Sequence, residues 1–70
     1  MNDAQNEPVS DLLYGVAAIA KHLQLTPKQV YHLHDKGDLP TFKTGATVCA
    51  RRSTLAKHFA AQEAAAARNG

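Results

Sequence analysis

Val16-Ala17-Ala18-Ile19-Ala20-Lys21-His22-Leu23-Gln24-Leu25-Thr26-Pro27-Lys28-Gln29-Val30-Tyr31-His32-Leu33-His34-Asp35-Lys36-Gly37 reads as two short helices and the break between them. Val16, Ile19, Ala20 and Leu23 recur at the three- and four-residue spacing that lays one apolar stripe along a helix, with Gly15 ahead of them as a tolerable N-cap. The spacing predicts a first helix over residues 16–24. Leu25 breaks the pattern, and Thr26-Pro27 then supplies a hydroxyl cap followed by proline at the first helical position, where its missing N–H costs nothing. The second helix puts Val30, Leu33 and His34 on one face and Lys28, Gln29 and His32 on the others. It stops at Gly37, a residue suited to a left-handed C-terminal cap. Two short helices joined so tightly make a helix-turn-helix candidate.

Downstream of Leu39-Pro40, residues 41–50 alternate. Phe42, Thr44, Val48 and Ala50 are expected inward, and Gly45-Ala46 marks the tip of a two-stranded wing. Ser53 is the expected N-cap of a third helix with Leu55, His58, Phe59 and Gln62 on one face, running through the alanines to Asn69-Gly70. The predicted fold is mainly α with a small β-hairpin, a winged helix-turn-helix in the order helix, helix, wing, helix. Residues 1–11 are polar, acidic and aperiodic, and are expected to be a disordered tail. Residues 12–60 form the expected domain, and 61–70 an Ala-rich extension of the last helix with the C-terminal tail.

Seventy residues suffice for one domain. Apolar residues make up 44%, but alanine dominates them and tryptophan is absent, so the expected core is thin. The net charge of +2 hides a gradient. Asp3, Glu7 and Asp11 open the chain with no cation. Residues 12–60 then hold seven cations (Lys21, Lys28, Lys36, Lys43, Arg51, Arg52 and Lys57) against two anions, Asp35 and Asp38, a surplus of +5. Such a surplus suits a polyanion partner and equally an ordinary basic surface.

Cys49 is alone, so no internal disulfide forms, and no apolar run has the length of a signal core or membrane span; a cytoplasmic protein is expected. Four histidines and one cysteine do not make a zinc site, because His32 and His34 point to different faces of one helix and no Cys-x-x-Cys occurs. Cys49 near Arg51 has no acid–base partners for an activated thiol, and no glycine-rich phosphate loop is present. Neither catalysis, nor metal, cofactor or small-molecule ligand is expected.

The stretch from Tyr14 to Phe59, about two-thirds of the chain, resembles the excisionase family of small winged helix-turn-helix proteins, relatives of the DNA-binding head of MerR-type regulators. The resemblance rests on Val16-Ala17-Ala18-Ile19-Ala20 with Leu23, on Thr26-Pro27-Lys28-Gln29-Val30-Tyr31 and on Lys36-Gly37-Asp38-Leu39-Pro40. Phe42-Lys43-Thr44-Gly45 and Arg51-Arg52 ahead of Leu55 complete it. The Gly-x-Leu-Pro corner followed by the wing glycine is its most telling part. Ala46, Thr47 and Val48 stand where family wings carry arginines and an aromatic residue, which moves phosphate binding to Lys43, Arg51 and Arg52. His58 stands where the family tends to have tryptophan.

The resemblance implies that the second helix enters the major groove of double-stranded DNA while the first helix and the wing hold the backbone. Lys28, Gln29 and His32 are then the base readers. Glutamine can pair bidentately with adenine, lysine can donate to guanine, and imidazole can serve a base or a phosphate. Thr26, Tyr31, Lys36, Lys43, Arg51 and Arg52 are the expected backbone contacts. Tyr31 equally reads as edge-of-core packing, and Lys36 and Lys43 as solvated lysines. The function implied is that of a recombination directionality factor, which binds and bends DNA at an attachment site of a mobile element. It would promote excision by a tyrosine or serine integrase and self-associate cooperatively on DNA. A small transcriptional regulator of a phage, plasmid or integrative-element operon, and a protein-binding adaptor of the same fold, remain alternatives.

Overall fold

The computed structural model describes residues 10–69 as a small α+β domain with three helices and a three-stranded antiparallel sheet. The elements follow as β1 (Leu12–Tyr14), α1 (Val16–Leu23), α2 (Pro27–Asp35), β2 (Phe42–Thr44), β3 (Thr47–Arg51) and α3 (Arg52–Asn69). The two leading helices form where periodicity places them. α1 starts behind Gly15 at φ 96 and ends one residue earlier than expected, because Gln24 turns left-handed and the Leu25 N–H reaches back to the Ala20 carbonyl at 2.9 Å. α2 ends in the same motif: Gly37 lies at φ 76, its N–H donates to His34 O, and the Asp38 N–H donates to Leu33 O.

The sheet differs from expectation. It has three strands in the order β1-β3-β2, because Leu12, Leu13 and Tyr14 pair with Arg51, Ala50 and Cys49. The hairpin is present with its tip at Gly45-Ala46, but Phe42 and Thr44 are exposed and do not face inward. A two-residue turn sets Thr44 opposite Thr47 and Lys43 opposite Val48, and opposed residues share a face. Even positions on β2 therefore lie with odd positions on β3, so Phe42 sits with Cys49 on the outer face while Val48 and Ala50 face the core. β3 is the central strand, and Val48, Cys49 and Ala50 are all buried.

Two further expectations are corrected at the start of α3. Ser53 is not the N-cap, since β3 runs through Arg51 and the helix begins at Arg52. The capping is done from outside: Asp11 Oδ1 accepts the Ser53 N–H at 2.9 Å, Oδ2 accepts the Ser53 hydroxyl at 2.7 Å, and the Asp11 carbonyl accepts the Arg52 N–H at 2.8 Å. The Ser53 hydroxyl, then its backbone N–H, hold the Asp11 carboxyl below its ordinary value of 3.8; desolvation opposes them, and Arg51 adds a lesser attraction. Ser10 and Asp11 thus belong to the ordered domain, while residues 1–9 of the expected disordered tail lie outside the described residues.

The core is small and apolar. Leu13, Val16, Ile19, Ala20, Val30, Leu39, Val48, Ala50 and Leu55 form one cluster, with Ala18, Leu23, Leu25 and Leu33 packed against it. No polar or charged side chain is buried among the described residues. Leu55 is the residue of α3 that enters this core; of the other three on the expected face, His58 is half-buried, edge-on to Phe59 with ring centroids 5.0 Å apart, and Phe59 and Gln62 are exposed. At about 1.5 Å per residue an 18-residue helix spans about 27 Å, and its projection stretches the molecule to 48 × 25 × 19 Å.

Candidate functional site

The start of α2 is a firmly capped and exposed feature of the described residues. Thr26 is in extended backbone conformation, its Oγ1 accepts the Gln29 N–H at 3.1 Å, and Gln29 Oε1 accepts the Thr26 N–H at 2.9 Å. This reciprocal capping box satisfies two N–H groups at the positive end of the helix, and Pro27 fixes the first turn. No carboxylate lies in that turn. Lys28, Gln29 and His32 are exposed together, and with Leu25 and Leu33 they line one groove of about 440 Å³. The three expected readers therefore share one surface, on a helix anchored from behind by Val30, which is fully buried.

A second hollow of about 400 Å³ separates α2 from the hairpin, lined by Tyr31, His34 and Asp35 on one side and by Lys43, Ala46 and Thr47 on the other. Tyr31 is 53% exposed, so its ring is a surface group at the mouth of this cleft. His34 is held within it by Thr41, Nδ1 to Oγ1 at 2.7 Å. A third hollow of about 380 Å³ is lined by Leu13, Ala18, Lys21, His22 and Arg52.

The remaining expected contacts are more engaged. Arg52 donates through Nε to the Ser10 carbonyl at 2.7 Å and through Nη1 toward His22 Nδ1 at 3.1 Å. Guanidinium has no acceptor atom, so His22 Nδ1 is the accepting side of this contact. Arg51 lies 3.6 Å from Asp11, and Lys36 lies 3.8 Å from Asp38, both exposed pairs. Such pairs contribute little and exchange readily with another anion. Among the described residues Lys21, Lys28 and Lys43 form no ion pair.

Sequence reading passed over Leu25 and Leu33 as surface groups and Lys21 and His22 as neighbours of Arg52. The first pair was legible only in part, since Leu33 follows Gln29 by one turn on the same face of α2 whereas Leu25 lies in the turn ahead of the Thr26 cap. The second was not, because Arg52 meets His22 only through the tertiary fold. Among the described residues no three His, Cys, Asp or Glu side chains converge to hold a metal ion, and no helix is long and apolar enough to cross a membrane. Compared with protein-family models, with curated proteins and with solved structures, the chain finds no match.

Proposed function

We propose that this chain is a sequence-specific double-stranded DNA-binding protein of winged helix-turn-helix type, not an enzyme, with α2 as the reading helix and the β2–β3 hairpin as the wing. The observation that carries the reading is the outward face of α2, where Lys28, Gln29 and His32 stand together on a capped, carboxylate-free helix start. A helix of this kind fits the major groove, and its first turn addresses base edges. Of the three expected readers Gln29 and His32 keep the base edges, whereas Lys28 at the rim of the groove is reassigned to a phosphate together with Lys21, Lys43 and Arg51, and Tyr31 lines the cleft that Lys43 also lines.

Within that class we favour a recombination directionality factor, which binds and bends DNA beside an attachment site and helps an integrase excise a mobile element. Its support is the resemblance of the motifs between Tyr14 and Phe59 to those of excisionases. The same domain serves a transcriptional regulator. Footprinting on the flanking DNA separates the two: phased sites beside an attachment site support excision, and sites over a promoter support regulation.

A role in protein contact has one observation in its favour. Leu12 and Tyr14 of β1 and Phe42 of β2 lie on the outer face of the sheet, 40%, 61% and 42% exposed. The test of the main reading is titration of a labelled mixed-sequence duplex of about 20 base pairs at about 50 mM salt. Binding at micromolar concentration or tighter is expected, as for ordinary non-specific DNA association. A chain that stays unbound at that salt removes the reading.

A further inference from the structure

Gln29 is committed at one end. A backbone N–H can only donate, so the atom facing the Thr26 N–H at 2.9 Å is Oε1, and Nε2 is the end left for a ligand. Bidentate adenine reading needs both ends at once, with Oε1 accepting from N6 and Nε2 donating to N7. Turning Oε1 outward would open the capping box that shapes the helix start. Oε1 keeps a second lone pair, so the capping box alone does not choose the base; the Nε2 donor of Gln29 is free, and the choice falls to what lies beside it.

Beside that donor lies an aliphatic floor. Leu25, just ahead of the Thr26 cap, and Leu33, one helical turn after Gln29, are both half-buried, and the groove they line is rimmed by Lys28 and His32. The lysine gives the rim a charge complementary to the phosphate rails. Of the four major-groove base edges, one sets an acceptor next to a methyl group: thymine, with O4 beside its 5-methyl. Guanine offers acceptors and no methyl, whereas the exocyclic groups of adenine and cytosine are donors.

Resting on the DNA-binding reading above, we infer that α2 selects a thymine, whose O4 accepts from Gln29 Nε2 and whose 5-methyl lies in the groove over Leu25 and Leu33. Gln29 and the two leucines are then the specificity-determining residues of the reading helix.

The test uses the full chain and a randomised 20-base-pair duplex pool, followed by single-atom changes in the enriched site. Thymine is expected at one fixed position. Replacing it there by deoxyuridine, which removes only the methyl, weakens binding about fourfold, the effect of one buried carbon. The variant Gln29→Glu keeps an oxygen for the Thr26 N–H, so it melts like the wild type, yet it has no donor for O4. Its thymine preference is lost, and cytosine, with its N4 donor, gains.

Two results overturn the inference while leaving DNA binding intact. One is an enriched site in which every thymine-to-deoxyuridine change is silent. The other is a loss of affinity on placing 7-deazaadenine at the position where Gln29→Glu alters selection. A chain that enriches no duplex overturns the DNA reading itself, and this inference with it.

Discussion

Gln24 carries a local conflict that the rest of the chain tolerates. It lies at φ 60 and ψ 41, the left-handed conformation that closes α1, and it is the one non-glycine residue with positive φ among those described. A β-carbon there costs about 1 kcal/mol, part of which glycine gives back through its freer unfolded chain. Gln24→Gly is therefore expected to stabilise the domain by about 0.5–1 kcal/mol in urea unfolding. A neutral or destabilising result would mean that the Gln24 side chain makes a contact that outweighs its backbone strain. Asp11 shows the opposite economy, since one carboxylate ties the segment before β1 to the first turn of α3. Its folded pKa is depressed below 3.8, so the stability it contributes is fully present above that pH and is lost as pH falls through the folded value. Asp11→Asn is expected to lower Tm at pH 7, and the gap to the wild type should narrow at pH 2.5 in parallel thermal melts.

The elements that sequence reading located are those whose signals are local. Thr26-Pro27 followed by Gln29 writes the start of α2 within four residues, and Gly37 writes its end, so both bounds hold to within two residues. β1 is the opposite case. Leu12–Tyr14 is too short to show alternation, and its partner Cys49–Arg51 is more than thirty residues away, so nothing nearby marks it as a strand. The inward residues of β2 were misjudged for a related reason, because facing depends on the parity set by the turn and not on apolarity alone. Of the candidate site, the α2 face was legible and the pairing of Arg52 with His22 and Ser10 was not. α3 divides into a docked start and a projecting remainder. Leu55→Ala is expected to cost about 3 kcal/mol, as for a fully buried leucine. Deleting residues 62–70, whose described side chains are exposed apart from Ala65, should cost less than about 1 kcal/mol while removing helical signal in circular dichroism. If the truncation proves as damaging as Leu55→Ala, the projecting half of α3 has a partner that stabilises it.

At the scale of the whole molecule, the surplus of positive charge is divided between groups that are available and groups already engaged. If five of the seven central cations met phosphates, log Kd would change with log salt at a slope of magnitude about 4 to 5. The structure lowers that expectation. Arg52 is held by a carbonyl and an imidazole, Lys36 sits beside Asp38, and Lys57 lies on α3 away from the three hollows. Lys21, Lys28 and Lys43 carry no ion pair among the described residues, and Arg51 shares Asp11 with Ser53 in a loose, exposed contact. Four phosphate contacts give an association slope of about −3.6 between 50 and 200 mM salt. Lys28→Ala and Lys43→Ala should each reduce its magnitude by about 0.9, whereas Arg52→Ala should leave it unchanged and lower Tm instead. A slope near zero would end the electrostatic account. If Arg52→Ala reduced the slope as the lysine variants do, the guanidinium would have exchanged its carbonyl and imidazole partners for a phosphate, and the hollow it shares with Lys21 and His22 would be part of the DNA surface.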